Sequence, residues 1–329
     1  MINNLAGSVF SISNEKEFGE TALEIFRLQA ESNPVYREYI SHLGTSAGSV
    51  SSVKQIPYLP VELFKSHKVI TGNTGVQKVF ESSGTTGIDT SRHHVTDLAV
   101  YEESFIRCFR YFFGNPEEYF FAGLLPSYLE RENSSLVYMV NKLISISADK
   151  RSSFFIDNSR LLPDLLPEVR SSGRKAMLIG VTFALLDMAE KYAPDLSGTA
   201  VVETGGMKGR RKEMTRGELH AILRERFNVD RVCSEYGMTE LLSQAWSKGE
   251  GIFHCPPWMK IRLREINDPL SVFDDQGVAG GINIIDLANF NSCSFIATGD
   301  LGKLSPGGGF EVLGRFGNSD LRGCNLLVP

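Results

Sequence analysis

Between residues 96 and 233 the sequence switches repeatedly between two apolar patterns, and that alternation limits the fold more than any other feature. Thr96 or Asp97 can cap a helix whose stripe is Val100, Tyr101, Ser104, Phe105, Cys108, Phe109 and Phe112. Tyr119 to Leu125 is a continuous apolar run halted by Pro126, the pattern of a strand buried on both faces. A helix with Leu136, Met139, Val140, Leu143 and Ile144 on one side follows, then a strand over 153–156, another over 176–181, a helix over 184–192 and a strand over 199–202. Thr215 and Glu218 stand at capping-box spacing for a helix ending near Phe227, and 229–233 is one more strand. Strands separated by helices require crossover connections, so the expected class is α/β with parallel-rich sheets.

The flanks differ. Asn14 and Glu17 open a helix carrying Phe18, Ala22, Ile25 and Phe26, which Pro34 is expected to end. Residues 44–52 read as a loop, and two prolines make 56–60 extended chain. From about residue 258 the period becomes two, with strands at 260–266, 282–285 and 295–296 and turns at 274–277 and 306–309. The expectation is one domain over 1–329, with an α/β body to about 257 and a smaller β region with a mobile tail over 258–329.

Composition narrows the function classes. With 34 Lys+Arg against 39 Asp+Glu the net charge is -5, which gives no electrostatic reason to bind nucleic acid. The five cysteines (108, 233, 255, 293, 324) are scattered without a C-x-x-C pair, unlike a secreted disulfide framework or a zinc knuckle. Residues 1–14 hold no Lys or Arg ahead of their apolar stretch, and no apolar run nears the roughly 18 residues of a membrane span. A soluble, cytoplasmic protein without a membrane span is expected.

Five short segments can carry chemistry. Ser82-Ser83-Gly84-Thr85-Thr86-Gly87 sets four hydroxyls among two glycines. Successive N–H groups in such a turn form a concave anion site, although no Walker loop occurs in the chain. Glu203-Thr204-Gly205-Gly206 and Tyr236-Gly237-Met238-Thr239-Glu240 each follow an expected strand, and carboxyl ends of parallel strands are where ligands bind. A Tyr can stack on a base, a Thr can donate to phosphate, and a Glu can hold Mg²⁺. Thr298-Gly299-Asp300 offers a carboxylate after a Gly turn, able to accept from two ribose hydroxyls, and Gly314-Arg315 offers a guanidinium. Taken singly, each has an ordinary structural explanation as a turn, a helix start or a surface arginine.

In this order the five resemble the adenylate-forming superfamily of acyl-CoA ligases, peptide-synthetase adenylation domains and firefly-type luciferase. Residues 18–44, IPYLPVELFKSHKV at 56–69, ESSGTTG at 81–87 with Ser91-Arg92-His93 behind it, and ETGGMKGRRKEM at 203–214 resemble more narrowly the acyl-protein synthetase family of bacterial luminescence. The resemblance implies an adenylate-forming body that turns a fatty or other carboxylic acid and ATP into acyl-adenylate and pyrophosphate, then passes the acyl group to a protein thiol. It assigns the phosphates to Ser82, Ser83, Gly84, Thr85, Thr86 and Gly87, with Thr85 and Thr86 the foremost donors. It places Gly205 and Gly206 at the border of the adenine and Tyr236 in a stack on it, counts Glu203, Gly237 and Met238 among the nucleotide-binding residues, and assigns the α-phosphate to Thr239, Mg²⁺ to Glu240, the ribose to Asp300 and the ribose or phosphate to Arg315. The wider superfamily continues past the Gly-Arg motif into a lid with a catalytic lysine. The sequence stops at Pro329, 14 residues after Arg315 (329 − 315), so a body without that lid is expected. The family's acyl-accepting cysteine corresponds to Cys324, whose thiolate neighbouring Arg322 favours. A fatty-acyl reductase is the implied partner. For the missing lysine, Lys208, Arg210, Arg211, His93 and His94 are the nearby cations. Two alternatives stay open: a CoA ligase of the phenylacetate type, and a nucleotide-binding scaffold without turnover.

Overall fold

The computed structural model describes residues 2–82, 90–125, 132–205 and 214–316. The chain forms two compact units, one drawn from Met1–Gly75 together with the chain from Pro257 onward, the other from Val76–Pro256.

The first unit begins with helices α1 (Ile2–Phe10), α2 (Glu15–Ser32) and α3 (Pro34–His42). Asn14 caps α2 by accepting from Glu17 N at 3.0 Å. Pro34 ends α2, as its sequence position requires, but it also begins α3. It stands in that helix's first turn, where no N–H is needed, and Asn33 caps the turn by accepting from Tyr36 N. A short strand β1 (Leu59–Pro60) and helix α4 (Leu63–Ser66) complete the N-terminal part.

The second unit opens with a hairpin, β2 (Lys78–Glu81) against β3 (Arg92–Val95), and helix α5 (Leu98–Phe113). Asp97 caps α5 through Ala99 N, and Val100, Tyr101, Ser104, Phe105, Cys108 and Phe109 are its buried side. Burying each large apolar side chain of that stripe is worth about 1.5–3 kcal/mol against leaving it in water. Then come β4 (Tyr119–Leu124), α6 (Ser135–Ile146), β5 (Ser153–Phe154), α7 (Leu162–Ser171), β6 (Lys175–Val181), α8 (Thr182–Lys191), β7 (Thr199–Thr204), α9 (Arg216–Phe227), β8 (Val232–Tyr236), β9 (Ala245–Ser247) and β10 (Ile252–Phe253). The sheet order is β5-β4-β6-β7-β8-β9, parallel from β5 through β8, with β9 antiparallel at the edge. Every residue of β4 is buried, as a parallel sheet covered on both faces demands. Pro163 and Pro167 hide α7 from a reading by pattern, though Pro163 stands in its first turn. Helix α6 turns Val137 inward where the periodicity favoured Leu136.

The chain returns to the first unit with β11 (Met259–Arg264), β12 (Val272–Phe273), β13 (Ala279–Asp286), β14 (Phe295–Ser305) and β15 (Gly309–Arg315). They run β15-β14-β13-β11-β12, each pair antiparallel, and β1 lies parallel to β14. Residues 1–75, grouped by the sequence with the α/β body, belong with this β region. Gln29 Nε2 donates to the carbonyls of Asn289 and Phe290, and Asn33 Nδ2 to that of Ser292.

The Thr298–Asp300 segment is another departure from expectation. It is not a turn between strands but a bulge inside β14. Asn283 faces Ala297 and Gly281 faces Leu301, so three residues of β14 stand opposite Ile282 alone. Asp300 is the last residue of this bulge and pairs with Arg315 on β15.

Candidate active site

In the second unit the candidate residues sit at the carboxyl ends of β6, β7 and β8. Gly205 ends β7 with φ 71°, a left-handed conformation that favours glycine. Its carbonyl accepts from Thr182 Oγ1 at 2.6 Å, so the first turn of α8 fixes the turn that follows β7. Glu203, one step inside, is 5% exposed. Its Oε1 accepts from Arg216 Nε at 3.2 Å and lies 3.6 Å from His220 Nε2, and Thr182 Oγ1 donates to Oε2 at 3.4 Å. Burial alone pushes this carboxyl up, but the His220 hydrogen bond and the Arg216 charge prevail and hold it below the usual range. Glu203 is therefore an anionic tie joining β7 to α8 and α9.

Tyr236 is the last residue of β8, three residues beyond the strand end expected from sequence. Its ring lies 5.9 Å from that of Phe253, and the Arg216 guanidinium lies over the other ring of that pair at 4.9 Å. The Tyr236 ring is thus backed by Phe253, which Arg216 and Glu203 steady in turn. Gly237 is exposed and leads to Met238, Thr239 and the buried Glu240. The loop is pinned by His93 on β3, whose Nδ1 is 2.9 Å from the Thr239 carbonyl. His93 is 1% exposed, so its ring is held in place where it supports Thr239. On the same hairpin, Ser82 N donates to the Ser91 carbonyl and Ser91 N to Ser82 Oγ, both at 3.0 Å. Strand β3 therefore carries both the base of the hydroxyl segment and the anchor of the Tyr236–Glu240 loop. Ser83, Gly84, Thr85, Thr86, Gly87, Gly206, Lys208, Arg210, Arg211 and Cys324 lie outside the described residues.

In the first unit the structure brings Asp300 and Arg315 together. Arg315 Nε donates to Asp300 Oδ1 at 3.1 Å across the β14–β15 pair. The Asp300 side chain is buried and that of Arg315 is mostly exposed.

A family model described as acyl-protein synthetase, LuxE, matches residues 8–328. This chain belongs to that family. The family is one of acid–thiol ligases, and the chain's fold is similar to that of several solved structures. ATP-bound MatB from Rhodopseudomonas palustris is similar over 75% of this chain and 49% of its own, at 16% identity and a TM-score of 0.55. A double mutant of o-succinylbenzoate CoA synthetase (MenE) from Bacillus subtilis, bound with a product analogue, is similar over 74% and 49%, at 19% identity and a TM-score of 0.51. At such identities the likeness is one of fold, and this chain spans about half the length of the solved structures it matches. Among curated proteins none matches it.

Several residues that support the candidate site were not legible beforehand. Thr182, Arg216 and Phe253 carry no motif. Thr182 had a weak signal as a hydroxyl residue just past an expected strand. Glu235 was passed over because it precedes the more conspicuous Tyr236. It accepts from Thr204 Oγ1 at 2.6 Å. Burial pushes its carboxyl up to about 7, the Thr204 hydroxyl acts against this, and the charge of Glu203 adds to it.

This makes Glu235 a pH-dependent liability. Below its ordinary value near 4.5 the group is protonated folded or unfolded. Between that value and about 7 the unfolded chain releases a proton that the folded chain keeps, so stability falls as pH rises, and the loss is complete above about 7. The loss is on the order of 2–3 kcal/mol. Glu235→Gln is expected to remove it. In urea melts the variant should gain that much on the wild type between pH 5 and pH 8, and an unchanged difference would place the titration elsewhere.

Among the described residues no helix is long and apolar enough to cross a membrane. Of the four described cysteines, Cys108, Cys233 and Cys293 are buried and Cys255 is half-buried. Burial raises the thiols of Cys108 and Cys233 and pushes that of Cys293 up to about 12, so these three remain un-ionised at neutral pH.

Proposed function

We propose that this chain activates a carboxylic acid, in particular a fatty acid, with ATP and then carries the acyl group on its own Cys324. In the first step a carboxylate oxygen attacks the α-phosphorus of ATP, forming the acyl–phosphate bond of an acyl-adenylate and expelling pyrophosphate. In the second the Cys324 thiolate attacks the acyl carbon, forming a thioester and expelling AMP. The observation that carries this reading is the family match over nearly the whole sequence.

The geometry supports it. Tyr236, backed by Phe253, offers a supported aromatic face, and the Gly205 turn offers backbone without a side chain, as the two sides of an adenine would need. Asp300 provides a carboxylate for ribose hydroxyls and Arg315 an exposed guanidinium beside it. Mg²⁺ sites at nucleotides use one or two carboxylates with the phosphates. Glu240, on the loop that His93 holds through the Thr239 carbonyl, would be such a carboxylate. There the ion would neutralise phosphate charge. Thr239, fixed through its carbonyl by His93, would donate its hydroxyl to the α-phosphate, and the segment from Ser82 to Gly87, Thr86 included, would hold the phosphates. Three buried thiols are held protonated, and Cys324 is the acceptor that the family resemblance implies. A cytoplasmic, reducing setting would keep it so, and a fatty-acyl reductase is the partner that would consume the thioester.

The test is exchange of labelled pyrophosphate into ATP, driven by a panel of carboxylic acids, followed by mass measurement of the protein. Acid-dependent exchange with a mass gain in the absence of CoA supports the reading. Acyl-CoA as the sole product would favour a CoA ligase, and no exchange with any acid a scaffold. Asp300→Ala is expected to raise the KM for ATP in exchange by the equivalent of roughly 1.5–3 kcal/mol, the worth of a hydrogen bond to a charged group. An unchanged KM would take the ribose away from Asp300.

A further inference from the structure

Arg264 at the end of β11 has no place in the site as read so far, yet it underlies the bulge that presents Asp300. The residue is 9% exposed. Its guanidinium reaches across β13 rather than out to solvent. Nη1 donates to the Ile282 carbonyl at 2.8 Å and to Asn283 Oδ1 at 3.0 Å, and Nη2 donates to the Thr298 carbonyl at 2.6 Å. Ile282 is the residue that alone faces the bulge, and Thr298 is the bulge's first residue. The Thr298 hydroxyl donates to the same Ile282 carbonyl at 2.9 Å and accepts from Asp300 N at 3.1 Å. On the far side the guanidinium lies 5.4 Å from the Phe316 ring, and Phe316 N donates to the Gly299 carbonyl at 2.8 Å. Both the first and the middle residue of the bulge are therefore fixed through groups that Arg264 touches.

The path of the side chain is itself specified. A methyl group added at Gly281 would lie 2.7 Å from Arg264 Cζ and 2.9 Å from its Nε, so the guanidinium runs through space that any other residue at 281 would fill. Three carbonyl or amide oxygens arranged around a planar fork suit arginine and not the point charge of lysine.

We infer that Arg264 is a positioning residue for nucleotide recognition: by holding the bulge in β14 it sets the Asp300 carboxylate where it can accept from both ribose hydroxyls. This deepens the proposed function and rests on it. The Thr298 carbonyl, the Ile282 carbonyl opposite the bulge and the Phe316 ring tie the guanidinium to the segment that ends at Asp300, so the expected effect is on the ribose.

The test is pyrophosphate exchange by the full chain with ATP, 2′-deoxyATP and 3′-deoxyATP, comparing wild type, Arg264→Met, Arg264→Lys, Gly281→Ala, Asp300→Ala and the Arg264→Met/Asp300→Ala pair. The wild type should prefer ATP to each deoxynucleotide. Arg264→Met should raise the KM for ATP roughly tenfold with the KM for the acid unchanged, and should bring the ATP-to-deoxyATP ratio of kcat/KM close to that of Asp300→Ala. Adding Asp300→Ala to it should cost little more. Arg264→Lys should recover only part of the preference. Should Arg264→Met not fold, Gly281→Ala displaces the same guanidinium while keeping it, and its selectivity should fall in the same way. Loss of activity on all three nucleotides in equal proportion, or additive single and double variants, would make Arg264 a purely structural residue and overturn the inference. A wild type with acid-dependent exchange but no preference for ATP would remove the ribose role of Asp300. A wild type without exchange would remove the proposed function itself.

Discussion

Replacing Cys324 by Ala is expected to abolish covalent acylation of the protein while pyrophosphate exchange continues. The two half-reactions use different atoms. Exchange requires an acid, ATP and the groups that hold them, and it is complete when pyrophosphate leaves. Thioester formation requires a thiolate, and a methyl group has no lone pair to replace it. The effect on acylation is therefore all or none, whereas variants that only weaken binding give graded losses. Mass spectrometry after incubation with ATP and a labelled fatty acid reads it directly, and neutral hydroxylamine should release the label from the wild type. Cys255→Ala is the informative control, since Cys255 is the one described cysteine that is not fully buried. Label that survives in Cys324→Ala and disappears in Cys255→Ala would move the acceptor to Cys255. Loss of exchange in Cys324→Ala would show that the thiol serves the first step, contrary to the separation proposed.

The sequence revealed most where the relevant physics is local. Thr215 and Glu218 announced α9, and the helix ends at Phe227 as expected, because a capping box joins residues three apart. Helix α5 was legible from a stripe repeating every turn, and β4 from an unbroken apolar run. Residues that act across strands were hidden. Thr298-Gly299-Asp300 reads equally well as a turn or a bulge, since both favour glycine, and only the register of β13 decides between them. Arg264 looked like one more polar position in an alternating strand. Its role depends on the missing side chain at Gly281, on the neighbouring strand, and on a carbonyl in the strand beyond that. The placement of residues 1–75 with the β-rich unit was hidden for the same reason. It depends on β1 finding β14, and on Gln29 and Asn33 finding carbonyls near residue 290. Motif order singled out candidate loops, and left open the supports that Thr182, His93 and Arg216 give them.

Glu203→Ala is expected to destabilise the second unit by about 3 kcal/mol. Removing one member of a buried ion pair costs roughly 3–5 kcal/mol, because the remaining charge is left without compensation. The lower end applies here, since the Arg216 side chain keeps 31% of its surface exposed and can recover some hydration. His220 fares worse, with its side chain 10% exposed and Ser234 Oγ at 3.3 Å as its other neighbour. It loses the carboxylate 3.6 Å from its Nε2. Glu203→Gln keeps the volume and an acceptor for Arg216, so it should cost clearly less, and the gap between the two variants measures the charge rather than the packing. The loss should also reach the site. Arg216 lies over Phe253, and Phe253 backs Tyr236, so a released Arg216 loosens the ring proposed to face the adenine. Urea melts of both variants, with the KM for ATP in exchange measured beside them, separate these effects. Equal destabilisation by Ala and Gln would mean that the Glu203 charge contributes nothing. A normal KM for ATP in a destabilised Glu203→Ala would show that Tyr236 holds its place without the Arg216–Phe253 support.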